Sequence, residues 1–226
     1  MDEQPLLHPP LKKFGFIHVP KCAGRSVRAA VRPHYPDGEI FGDRGQSMPK
    51  CGWDGISCIL EHVQYRYMMD AHGMVFATVL RHPVDIEQSW INFMLRRRRE
   101  DRLESRFRYW LAAAERNLDR YIETHITDGK MIDYFWTDPD NQEQSAINIL
   151  EHLDLVGFQD DFAKFIEGLS KLLEVELPVL HENISPQEIV FTPKQRALVA
   201  WKTRRDCAFY RYARALYRKA DDVFEI

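Results

Sequence analysis

The chain has 226 residues, 45% of them hydrophobic, which is enough to bury a substantial core and favours one α/β domain over two. A net charge of −3 with 29% charged residues excludes a general electrostatic pull on nucleic acid, so any anion site has to be local. No basic segment leads into an apolar one at the start, and nowhere do about eighteen apolar residues run together, so a cytoplasmic protein without a membrane partner is expected.

In chain order, residues 1–13 read as a loose, proline-rich tail and 14–226 as a single domain. Residues 14–26, Phe-Gly-Phe-Ile-His-Val-Pro-Lys-Cys-Ala-Gly-Arg-Ser, are an apolar strand entering a turn with Lys21, Gly24, Arg25 and Ser26. Such a turn lets backbone amides approach an anion, a following helix adds its positive end, and Lys21 adds a full charge. A ligand carrying phosphate or sulfate is expected. The helix, 24–32, should stop at Arg32-Pro33, because the residue before proline disfavours helical backbone.

Residues 33–55 are rich in Gly, Pro and Asp and read as a long surface loop. Ile56 to Val63 and Met74 to Leu80 have strand length, and strands alternating with helices predict a parallel sheet. From Val84 the spacing turns helical. Further helices are predicted over 107–125, 141–152, 160–173 and 193–220, the last with Thr192 and Pro193 at its start. Cys22, Cys51, Cys58 and Cys207 form no Cys-x-x-Cys pair and read as reduced thiols, with no metal site expected.

A second constellation follows the strand 74–80: Arg81-His82-Pro83, with Ser89 further along. Proline suits a first helical turn, so Arg81 would stand at the carboxyl end of a strand, where open α/β sheets place ligands. Arg81 can hold a phosphate through two N–H bonds and Ser89 can add a hydroxyl, unless Arg81 pairs with Asp85 instead.

Together, Pro20-Lys21-Cys22-Ala23-Gly24-Arg25-Ser26 and Arg81-His82-Pro83 with Ser89 resemble the PAPS-dependent sulfotransferases, in particular the heparan sulfate 2-O-sulfotransferase and carbohydrate sulfotransferase branch. Val156-Gly157-Phe158 before an acidic helix is also similar to that family. The resemblance implies a P-loop-like, three-layer α/β fold with a central parallel sheet and a helix-rich second half. It implies PAPS (3′-phosphoadenosine 5′-phosphosulfate) as sulfuryl donor and no metal. Lys21 would stabilise the leaving phosphate, Cys22 to Ser26 (Cys22, Ala23, Gly24, Arg25, Ser26) would line the phosphosulfate loop, and Arg81 and Ser89 would bind the 3′-phosphate.

The family's base lies about twenty residues before the Arg-x-Pro block, a position that falls on His62, with His72 as competitor and Glu61 as a group that orients the ring or serves itself. A neutral imidazole, of pKa about 6.5, can accept a proton at pH 7. Cys22 and Arg25 replace threonine-type positions, Ile86 stands where many relatives carry a second arginine, and Glu61 replaces a glycine. Near the C-terminus, Asn183 and Ser185 lie in a segment that in relatives crosses the nucleotide.

The run Arg96 to Arg99, with Arg102, Arg106 and Arg108, would guide an anionic glycan acceptor or form a solvated helix face balanced by Glu100, Asp101 and Glu104. Trp53, Trp90, Trp110 and Trp136 would stack on a sugar or pack in the core. The acceptor is expected to bear a hydroxyl, as a carbohydrate or glycosylated small molecule. A P-loop kinase or nucleotide hydrolase, and a noncatalytic nucleotide-binding relative, are the alternatives. Oligomeric state is not legible in the sequence.

Overall fold

Alternating apolar side chains on the first strand set two faces of a sheet. The computed structural model describes residues 11–41, 52–180 and 188–223. In it β1 (Lys13–Ile17) is the middle strand of a five-stranded, all-parallel sheet among the described residues. The order is β2 (Ile40–Phe41), β3 (Cys58–Ile59), β1, β4 (Met74–Leu80) and β5 (Leu155–Phe158). The predicted strand 74–80 has the observed bounds. The strand expected over 56–63 shrinks to two residues, because the chain turns at Glu61 to Val63, where the Val63 amide bonds back to the Glu61 carbonyl.

Phe14, Phe16, Ala77 and Val79 face a cluster with α1 (Gly24–Val31) and α6 (Phe162–Leu173). Ile17, Leu80, Val156 and Phe158 face the opposite cluster, which holds Ala146 and Leu150 of α5 (Gln142–Glu151) and Phe209 of α8 (Arg204–Val223). Both faces are thus covered, as a parallel sheet requires. Gly157 is needed for this packing: a Cβ there would lie 2.3 Å from the Phe165 ring of α6. A third cluster joins α2 (Pro83–Arg99), α3 (Ser105–Arg116), α4 (Leu118–His125) and α7 (Pro193–Lys202) through residues such as Val84, Ile91, Leu111, Ile122 and Val199.

Two predicted helices are each split. Over 107–125, Asn117 takes extended backbone (φ −160°, ψ 101°) and its side chain accepts the Arg120 amide, capping α4. Over 193–220, the break falls at Thr203, whose hydroxyl bonds the Val199 carbonyl, while Asp128 accepts the Arg205 and Asp206 amides that begin α8. The region 33–41, expected as loop, contains two short 3₁₀ turns and β2. The end of the expected tail is tied down as well: Lys13 opens β1, and Tyr35 donates to the Lys12 carbonyl. No helix among the described residues is long and apolar enough to cross a membrane.

Candidate active site

The β1–β4 register pairs Ile17 with Thr78, so the turn after β1 and the segment after Leu80 meet at the carboxyl edge of the sheet. There Arg81 Nη1 donates to the Lys21 carbonyl at 3.3 Å, and its buried Nε has no partner among the described residues. Asp85, the alternative partner for Arg81, is instead paired with Arg196 at 2.9 Å. Arg81 is therefore held by a backbone oxygen, with no carboxylate neutralising it in that bond.

Lys21 (φ 68°) and Ala23 (φ 58°) both have left-handed backbone, a conformation that costs a residue with a Cβ about 1 kcal/mol or more and that shapes a concave turn. Ala23 is the N-cap of α1 and offers no side-chain oxygen to the first-turn amides, nor is any acidic residue present there. Not all of the predicted loop donors are available. The Cys22 amide bonds the Val19 carbonyl, its thiol points into the core toward the Pro20 carbonyl, and burial pushes that thiol up to about 12. The Ser26 amide bonds the Ala23 carbonyl and the residue is buried.

The Lys21 ammonium lies 4.3 Å from the Phe93 ring centroid and 5.9 Å from that of Trp90. Burial, followed by the charges of Arg96, Arg81 and Arg25, lowers its pKa to about 8. Ser89, Phe93 and Arg96 follow the i, i+4, i+7 stripe of α2, so Ser89 belongs to the face over which Lys21 lies. Four basic residues thus act on one turn. Arg96 also lies 3.7 Å from Glu100 Oε1, and the rest of the run is engaged on the surface: Arg98 with Glu115, Arg99 with Glu188, and Arg97 with Glu100.

Gly24 is where the turn meets its support. A Cβ at Gly24 would come within 1.8 Å of His18 Nε2, so only glycine lets α1 rest on that ring. His18 is buried, and burial, followed by the proximity of His62, holds it well below the usual histidine range. Its ring stacks on His62 with centroids 3.8 Å apart. His62 Nδ1 is 2.8 Å from the His18 carbonyl, so Nδ1 is the donor and Nε2 the basic nitrogen. Glu61 pairs with Arg28, at 3.4 Å. His72 lies on the exposed turn before β4, at the amino edge, about 25 Å from the carboxyl edge by strand rise. Asn183 and Ser185 lie outside the described residues.

A cavity of about 370 Å³ opens beside Lys21, with Trp90, Trp110 and Tyr134 in its wall. It also reaches Glu87, Lys130 and Asp206, which the sequence reading missed. Glu87 is buried and meets Lys130 Nζ at 2.8 Å. Asp206 accepts the Met131 and Ile132 amides, and burial, with Asp128 nearby, raises it to about 6 against those bonds. Trp53 is a core residue, and Trp136 lies under the Arg66 guanidinium. Among the described residues no group of three or more His, Cys, Asp and Glu could hold a metal ion. No model of a protein family matches this chain, and no curated protein does either.

Proposed function

We propose that the protein is a PAPS-dependent sulfotransferase with a P-loop-like, three-layer domain over 14–226, acting on a hydroxyl-bearing acceptor. The observation that carries this reading is the convergence of Lys21, Arg25, Arg81 and Arg96 on a left-handed turn at the carboxyl edge of the sheet. Cations brought together around a partly desolvated Lys21 favour a polyanion, which relieves their repulsion. A nucleotide with phosphates on both sides of its ribose suits a site whose two halves come from the β1 turn and the start of α2.

PAPS would supply the sulfuryl group. Lys21 and the Gly24 and Arg25 amides would hold the 5′-phosphosulfate, since the Ser26 and Val27 amides bond the Ala23 carbonyl, and Arg81 and Ser89 would hold the 3′-phosphate. Lys21, lowered by burial to about 8, is still cationic at pH 7, and its interaction strengthens as charge develops on the bridging oxygen. The acceptor proton leaves to a base on the same edge, for which His62 and Glu87 are the groups in place. The test is transfer of labelled sulfuryl from PAPS to a panel of sugars and phenols. Transfer lost by at least a hundredfold in Lys21→Ala supports the reading; labelled ATP used in place of PAPS overturns it.

A further inference from the structure

The cavity beside Lys21 contains a carboxylate that the sequence does not mark. Its wall is mainly apolar, with Ile86, Trp90, Trp110, Met131 and Tyr134. Glu87 precedes Trp90 by one turn of α2, so both face the same side. Its side chain is only 5% exposed, and Lys130 Nζ holds Oε1 at 2.8 Å. One ammonium on one oxygen fixes the carboxylate's rotamer and leaves the Oε2 lone pairs for a hydroxyl.

The other charged groups on this wall are Lys21, Lys130, Asp133 and Asp206, and behind it stands the buried Tyr121 phenol of α4, which burial and then the nearness of Glu87 hold above the usual phenol range. Asp206 Oδ1 is taken by two backbone amides, and Asp133 Oδ1 by the Trp136 indole. His62 does not line the cavity, and its ring is stacked on His18. A base for sulfuryl transfer has to share a space with the group that neutralises the leaving phosphate, because acceptor, sulfur and leaving oxygen stand in line.

Resting on the sulfotransferase reading, we propose that this cavity is the acceptor site, that it takes a compact aromatic hydroxyl compound, and that Glu87 rather than His62 receives the hydroxyl proton. The flat indole and phenol walls, and a volume at the small end of ligand pockets, favour a single ring over an anionic glycan chain. In the step, the acceptor oxygen forms a bond to sulfur, the bond from sulfur to the phosphate oxygen breaks with its electron pair going to that phosphate, and the proton passes to Glu87. No oxidant or reductant is needed.

The test uses 4-nitrophenol, whose ionised form absorbs visible light, added to the full chain with 3′,5′-bisphosphoadenosine in a complex that cannot turn over. We expect quenching of tryptophan fluorescence, with affinity at least tenfold weaker in Trp110→Ala. The bound phenol should ionise about one pH unit higher in the native chain than in Glu87→Gln, because the carboxylate opposes a second negative charge. His62→Gln should leave that midpoint unchanged. In turnover, Glu87→Gln should slow transfer to 4-ethylphenol by about a hundredfold and to the already ionised 4-nitrophenol much less, with bisphosphoadenosine affinity within twofold as the check on folding.

Absence of 4-nitrophenol binding, an equal midpoint in the native and Glu87→Gln proteins, or a shift in His62→Gln in its place would overturn the proposal. Phenol binding with the expected midpoint shift, but no bisphosphoadenosine binding, would uphold Glu87 facing an aromatic hydroxyl site and overturn the sulfuryl donor.

Discussion

Gly24→Ala places a methyl group 1.8 Å from His18 Nε2 and 2.0 Å from Cδ2, far inside van der Waals contact. The ring has little room to retreat: it is 7% exposed, stacked at 3.8 Å on His62, and 5.5 Å from Phe16. Overpacking costs about 1–3 kcal/mol, and this approach belongs at the upper end. Alanine in a helix is itself better than glycine by about 0.5–1 kcal/mol, so the net loss should be about 2 kcal/mol. For a chain of this size that lowers the melting temperature by about 4–8 °C.

In a His18→Ala background the obstruction is gone, and Gly24→Ala should then be neutral or stabilising by up to about 1 kcal/mol. The coupling between the two positions is thus about 2–3 kcal/mol, measured by urea unfolding of the four proteins with a common m value. A cost below about 0.5 kcal/mol for Gly24→Ala alone, or the same cost in both backgrounds, would refute the claim that this ring supports the anion turn.

Lys21 must be protonated to hold an anion, so affinity for 3′,5′-bisphosphoadenosine should be flat between about pH 7 and 8, where the phosphates are fully ionised, and fall up to tenfold per unit above that, while Lys21→Arg stays flat above pH 7; calorimetry at several pH values reads this. Without ligand the folded chain binds fewer protons at Lys21 between about 8 and the ordinary 10.5, so this group makes stability rise with pH there. Asp206, raised from 3.8 to about 6, binds its proton more tightly when folded, so its contribution strengthens as pH falls through 6 toward 4. Asp206→Asn should remove about 3 kcal/mol of that pH dependence in denaturant titrations. Asn92 accepts the Glu188 and Ile189 amides and donates to the Ile189 carbonyl, so Asn92→Ala should cost about 2–4 kcal/mol in thermal unfolding.

What was legible in the sequence is local. The apolar run into Lys21 and Gly24, and the strand that delivers Arg81, announce themselves within a few residues, and the parallel register brings them together. β2 has two residues and β5 four, too short for a periodic signal, and β5 carries a glycine that exists to admit Phe165. The breaks at Asn117 and Thr203 come from side-chain bonds to backbone that outweigh continuous apolar spacing. Glu87 was hidden because Lys130, which fixes it, is 43 residues away, and because a glutamate inside a helix reads as surface. The arginine run allowed a glycan track or a solvated face balanced by Glu100, Asp101 and Glu104; Arg97 does pair with Glu100, while Arg98 and Arg99 reach glutamates on distant segments that no local spacing reveals.

The central claim is a site for two phosphates, one at the Lys21 turn and one at Arg81. Titration calorimetry with 3′,5′-bisphosphoadenosine and with adenosine 5′-monophosphate, which lacks the 3′-phosphate, tests it most directly. The bisphosphate should bind at least tenfold more tightly, and Arg81→Ala should erase the difference while leaving the monophosphate affinity within about threefold. Equal affinities in the native chain, or a preference that survives Arg81→Ala, would contradict it.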